Sequence, residues 1–165
     1  MASRRLSSTA SAGRSGNTAL WQRGVPLEPL VLTRLAQSLF VLDIACEADL
    51  GPGMVIAHGF GLVIGGETVI EGDCCLFHGV TLGGRGSEWV GSSRLESIAC
   101  SRPDGHPTLE PNVMVRTGAK ILGPIRIGRS SIIGANAMVL RDVPPFSIVA
   151  GIPARVVGQR PIEDF

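Results

Sequence analysis

The chain carries three histidines, His58, His78 and His106, and imidazole is the side chain suited to proton transfer near neutral pH. His58 and His78 lie 20 residues apart, each two positions after an aliphatic residue, Ile56 and Leu76. Two chemistries fit such a set. Three histidines can hold zinc with one coordination position left open. Alternatively, a histidine oriented by a carboxylate takes the proton of an acceptor hydroxyl or amine, a contribution of ~10²–10⁴-fold to rate. Asp43, 15 residues before His58, can orient that imidazole or simply cap the passage into the next element. The four cysteines, Cys46, Cys74, Cys75 and Cys100, have no Cys-x-x-Cys spacing. They lend a metal cluster no support, and they read as reduced thiols rather than a disulfide framework.

The elements that position these groups follow an unusual beat. Leu109, Val115, Ile121, Ile127, Ile133 and Val139 recur every sixth residue, and four positions after each come Val113, Ala119, Ile125, Ser131, Ala137 and Val143. Neither a 3.6-residue helix nor a two-residue alternation keeps that period. Hexapeptide repeats predict a β-helix, each side turning one bulky aliphatic inward. Each buried aliphatic contributes roughly 1.5–3 kcal/mol to the common column. Upstream the beat is Ile44, Leu50, Ile56, then an eight-residue step to Ile64, then Ile70, Leu76 and Leu82. The two extra residues lie within His58-Gly59-Phe60-Gly61. Three hexads make one turn, so the hexads of Ile56 and Leu76 are one turn apart. His58 and His78 should then stack on one edge at a strand spacing of ~4.8 Å.

Between Gly84 and His106 the beat disappears, and residues 85–105 form an excursion from the wall. Structureless loops of this length within a compact domain are often functional. The expected layout is a disordered tail over 1–18, a helical segment over 19–42, a β-helix over 43–158 and a tail over 159–165. The helical segment runs through Leu20 and Trp21, a break at Gly24-Val25-Pro26, then Leu27, Leu30, Leu35 and Phe40. It is expected to bury those groups over one end of the β-helix, with Pro29 in a first turn.

A net charge of +1 gives no case for nucleic acid or an anionic membrane surface as partner. No stretch reaches the length of a membrane span. The Arg- and Ser-rich start has the composition of a transit peptide but lacks a regular apolar face, so a plain tail on a cytoplasmic protein is expected.

Several stretches, in order and spacing, resemble the serine acetyltransferase branch of the hexapeptide acyltransferases. They are Val41-Leu42-Asp43-Ile44, Ile56-Ala57-His58-Gly59, Gly66-Glu67-Thr68-Val69-Ile70, Gly79-Val80-Thr81-Leu82-Gly83-Gly84, Gly105-His106-Pro107, Gly118-Ala119-Lys120-Ile121-Leu122-Gly123 and Val149-Ala150-Gly151-Ile152-Pro153-Ala154-Arg155. The resemblance implies an all-β solenoid, a left-handed parallel β-helix, assembled as a homotrimer with acetyl-CoA bound between subunits and no metal. It implies His58 as base, Asp43 as its orienter and His106 as a second catalytic histidine. His78 falls beside the acceptor. Gly83, Gly84, Thr117, Ala119, Lys120 and Ala135 fall where the family binds the cofactor, largely through backbone.

The same resemblance marks departures at the acceptor site. Ala57 stands where the family has a substrate-binding aspartate, and Gly105 where it has an arginine. Each loss forfeits a charge-assisted bond of about 1.5–3 kcal/mol. Glu88, Arg94, Glu96, Arg102 and Asp104 are available in the excursion to rebuild such contacts. The large N-terminal helical domain is reduced to a piece around Trp21, and Phe165 replaces the isoleucine that docks many members into a sulfhydrylase, which argues against that complex. The expected activity is acetyl-CoA-dependent O-acetylation of a sugar or secondary-metabolite intermediate. The alternatives are a genuine serine acetyltransferase with a rebuilt site and a silent trimeric scaffold.

Overall fold

The computed structural model describes residues 27–85 and 105–161. The expected N-terminal tail, the helical piece around Trp21, most of the excursion, Cys100 and residues 162–165 lie outside the described residues, whereas Gln159, expected in the C-terminal tail, closes the last strand.

A three-sided prism forms because every hexad supplies one short strand and one corner. The first face stacks β1 (Asp43–Ile44), β4 (Val63–Ile64), β7 (Thr81–Gly83), β10 (Lys120–Leu122) and β13 (Met138–Val139). The second stacks β2 (Asp49–Leu50), β5 (Val69–Ile70), β8 (Thr108–Leu109) and β11 (Arg126–Ile127). The third stacks β3 (Val55–Ala57), β6 (Cys75–Phe77), β9 (Met114–Val115), β12 (Ile132–Ile133) and β14 (Ser147–Gly151), with β15 (Ala154–Gln159) folding back on β14 as the antiparallel closing strand. All other pairs are parallel, the signature of a coil rather than of hairpins.

The register reproduces the sequence beat. Ile44 pairs with Ile64, Ile64 with Leu82 and Leu109 with Ile127, so the first coil is two residues longer than the regular ones. The surplus sits in the corner from His58 to Gly61. Ile70 pairs directly with Leu109, so the long excursion leaves and rejoins the wall without disturbing the stack.

The bulky hexad positions fill the prism. Leu82, Leu109, Val115, Ile121, Ile127 and Ile133 have no exposed surface, and Val139 is also buried. Ile44 and Ile56 lie in the terminal coil and are only partly buried, because among the described residues no further coil stacks beneath them.

Helix α1 (Leu27–Phe40) precedes the first coil. The expected burial of its apolar groups is overturned at Leu35 and Phe40, which are 52% and 60% exposed. The helix meets the prism near β1, where the Thr33 hydroxyl donates to the Ile44 carbonyl at 3.4 Å. Val31, Leu35 and Leu39, spaced four apart, form a stripe that stays outside. Helical periodicity specifies an apolar face but not what covers it.

Candidate active site

The candidate residues fall on two edges of the first face. At the leading edge, where the third face turns into the first, the register places His58, His78, Thr117 and Ala135 in one column. Ala57 pairs with Phe77, and the N–H groups of Gly118 and Asn136 donate to the carbonyls of His78 and Thr117, at 2.9 and 2.8 Å. The two imidazoles are neighbours on one edge as the spacing predicts, but they meet edge to face, with centroids 6.2 Å apart at 73°, rather than stacking at the strand spacing.

The two-residue surplus shapes this corner. His58 takes a left-handed φ of 62°, which lifts the imidazole from the wall into solvent, and its carbonyl accepts from the Phe60 N–H. Non-glycine residues rarely adopt such a φ, and the cost is retained where structure demands it. His78, without that bulge, stays half-buried, and its Nδ1 is enclosed with no hydrogen-bond partner. Asp43 lies across the same corner, its N–H donating to the Leu62 carbonyl at 2.8 Å. Its carboxylate is exposed, and among the described residues no hydrogen bond joins it to His58.

A feature of this edge escaped the sequence reading. Gly61, Gly79 and Gly118 sit one above another with φ of 67°, 67° and 71°. Together they make a strip of bare backbone beside the histidine column. A Cβ on Gly118 would run into the Asn136 amide. The common hexad phase of Gly79 and Gly118, each one position after a column residue, was the available signal. Lys120, the only lysine, donates from Nζ to the Gly79 carbonyl at 2.5 Å, so its ammonium lies against this strip. Ala119, expected to meet the cofactor, is fully buried, its N–H bonded to Arg116 O and its carbonyl to Thr81 N. Its hexad position points inward, whereas Thr117, Gly118 and Lys120 are each partly exposed on this edge.

The trailing edge, where the first face turns into the second, carries Gly83, Gly84, Gly105 and His106. His106 Nδ1 lies 3.2 Å from Glu67 Oε2, a pair the spacing did not disclose because His106 follows the excursion. Gly105 has φ of 53°, and a Cβ there would lie 2.8 Å from Pro124 Cβ. That crowding is a local reason for glycine at this position. Arg85, at the root of the excursion, donates to the carbonyls of Leu122 and Leu140.

Within one chain, therefore, His58 and His106 are not brought together. They stand on opposite edges of one face, roughly 15 Å apart for about five extended residues. Among the described residues, no three His, Cys, Asp or Glu side chains converge as a metal site. The strip of bare backbone with a single ammonium suits a long, narrow, anionic ligand such as coenzyme A.

No protein-family model matches the chain. The serine acetyltransferase of Mycobacterium tuberculosis (strain ATCC 25618 / H37Rv) is 41% identical over 140 residues, 85% of this chain and 56% of that protein. The serine acetyltransferase of Synechococcus elongatus is 46% identical over 139 residues, 84% of this chain and 51% of that one. The solved structure of serine acetyltransferase in complex with coenzyme A from Brucella abortus strain S19 matches with a TM-score of 0.77 at 36% identity, covering 88% of this chain and 53% of that chain. The chain spans about half the length of the curated relatives it matches. The coil shared with these neighbours is the left-handed parallel β-helix. Sharing fold and more than a third of its matched residues with these proteins, the chain belongs to the serine acetyltransferase-like branch of the hexapeptide-repeat acyltransferases.

Proposed function

We propose that the protein transfers the acetyl group of acetyl-CoA to the hydroxyl of a small acceptor, a sugar or secondary-metabolite intermediate rather than free serine. The observation that carries this reading is the placement of His58. It is exposed on a corner lengthened by two residues, beside a strip of bare backbone, and Asp43 lies across the same corner. The pantetheine arm would lie along Gly79 and Gly118, with Lys120 available to a phosphate.

His58, oriented by Asp43, takes the proton of the acceptor hydroxyl as its oxygen attacks the thioester carbonyl. The tetrahedral adduct collapses by breaking the carbon–sulfur bond. The imidazolium returns the proton to the leaving sulfur, giving the acetyl ester and free CoA. Stabilisation of the adduct's oxyanion falls to His106, held through Glu67. His106 stands on the far edge, so it must come from a second copy whose trailing edge faces the first copy's leading edge. A cyclic homotrimer meets that requirement at all three interfaces. The thiols of Cys46, Cys74 and Cys75 and the dependence on acetyl-CoA support a cytoplasmic setting.

Turnover of acetyl-CoA against a panel of alcohols and amines tests the reading. Wild type should release CoA with at least one acceptor, and His58→Ala should lose about 10²-fold or more. Equal rates for the two would remove His58 from the mechanism.

A second reading is serine O-acetylation in a rebuilt site. The Glu67 carboxylate beside His106 favours it, because a carboxylate can receive an ammonium. Saturable formation of O-acetylserine at millimolar serine would decide for it.

A further inference from the structure

Helix α1 ends against the corner that carries His58. Between them lies an open hollow of about 380 Å³ on the surface. Leu39, Phe40, Leu42, Ile56 and Phe60 line it, and among the described residues His58 is the one polar side chain in its wall. Three of these apolar groups are held open to solvent: Leu39 is 64% exposed, Phe40 60% and Phe60 67%. Gly59 forms part of the floor, where a Cβ would press on Leu42 Cδ2 at 3.3 Å.

The chemistry of that wall excludes most acceptors. An amino acid would bring an ammonium and a carboxylate to a wall that, among the described residues of one chain, carries no charged side chain, and desolvating them without partners is costly. A sugar would bring a ring of hydroxyls to the same surface. Ala57, half-buried at the end of β3, adds no charge next to His58. An aryl or branched alkyl group would instead cover Phe40 and Phe60 while its hydroxyl lay against the imidazole. The concave shape and the base in the wall argue for a small ligand rather than a docked protein segment.

We propose that this cleft is the acceptor subsite and that it selects hydroxyl compounds bearing an apolar aryl or alkyl substituent. This rests on the reading of His58 as the base, and it chooses among the acceptors that reading leaves open. Phe60 and Phe40 act as specificity determinants.

Binding and turnover separate the two claims. Titration of the full chain with 2-phenylethanol, L-serine and glucose, followed by NMR of the histidine Cε1–H signals, reads the cleft directly. The aryl alcohol should shift the His58 and His78 signals and saturate at least about tenfold below L-serine or glucose. Phe60→Ala should weaken its binding by about tenfold and Phe60→Leu by much less, since only apolar area is exchanged. Phe60 is exposed on a corner, so neither change threatens the fold. Three results would overturn the proposal: no saturable shift by the aryl alcohol, equal or tighter binding of L-serine or glucose, or Phe60→Ala and Phe40→Ala both within twofold of wild type. CoA release is measured separately. Its absence with every acceptor would sink the acetyl-transfer reading, while the titration still decides the cleft.

Discussion

His58 and His78 are chemically identical and one coil apart, yet the fold gives them different work. The bulge after Ala57 turns His58 outward through its left-handed backbone, whereas His78 remains half-buried with Nδ1 unpartnered. Only the first can exchange a proton freely with a bound hydroxyl. His58→Ala should therefore lose far more activity than His78→Ala, and steady-state CoA release with one acceptor checks the order. With Asp43 orienting His58, as proposed, Asp43→Asn should lower kcat with little change in KM. The cysteines divide in the same way. Burial pushes the Cys46 and Cys74 thiols up, and the Glu47 carboxylate adds to the effect at Cys46. Cys74 Sγ also donates to the Gly72 and Glu110 carbonyls, at 3.2 and 3.3 Å. Of these three, Cys75, which is only half-buried, should be alkylated first in the native protein, as peptide mass spectrometry after brief maleimide exposure would show.

At the scale of the element, each strand stands or falls with the column it feeds. Ile121 in β10 packs between Leu82 and Val139 with no exposed surface, so Ile121→Ala should cost about 2–5 kcal/mol in denaturant unfolding. Ile44→Ala, in the half-covered terminal coil, should cost less. The second face carries a charged ladder on its outside. Arg126 lies 2.8 Å from Glu110 and 3.3 Å from Glu71, and Glu110 also accepts from the Arg129 N–H. That backbone bond, then the Arg126 guanidinium, holds the Glu110 carboxyl below its ordinary range. A depressed carboxyl stabilises the fold above its unfolded pKa, and the contribution is lost as pH falls through the folded value. The thermal deficit of Glu110→Gln should be present at neutral pH and shrink as the pH falls below the ordinary carboxylate range, which scanning calorimetry at several pH values would test.

The strands, their register and the shared edge of His58 and His78 were legible because the prism repeats. One inward aliphatic per six residues fixes a face, and an eight-residue step fixes where the corner must swell. Features that depend on what meets at a corner were not legible. The Glu67–His106 pair joins residues on either side of the excursion, and the Lys120 contact to Gly79 depends on two stacked turns. The open cleft beside His58 exists because α1 leaves Leu39 and Phe40 uncovered, whereas its periodicity pointed to burial.

The molecule as a whole presents one face with unlike edges. The leading edge carries His58, the bare strip and the hollow beside α1, and the trailing edge carries His106 with Glu67. Among the described residues, no helix is long and apolar enough to cross a membrane. The account requires the edges of different copies to meet. Sedimentation at working concentration should give the mass of three chains, and a stable monomer with full activity would be incompatible with the mechanism. The most direct test mixes two disabled variants, His58→Ala and His106→Ala, by refolding them together. If each site takes His58 from one copy and His106 from its neighbour, randomly mixed trimers should recover about a quarter of the wild-type rate. Activity no greater than the average of the two separate variants would contradict the account.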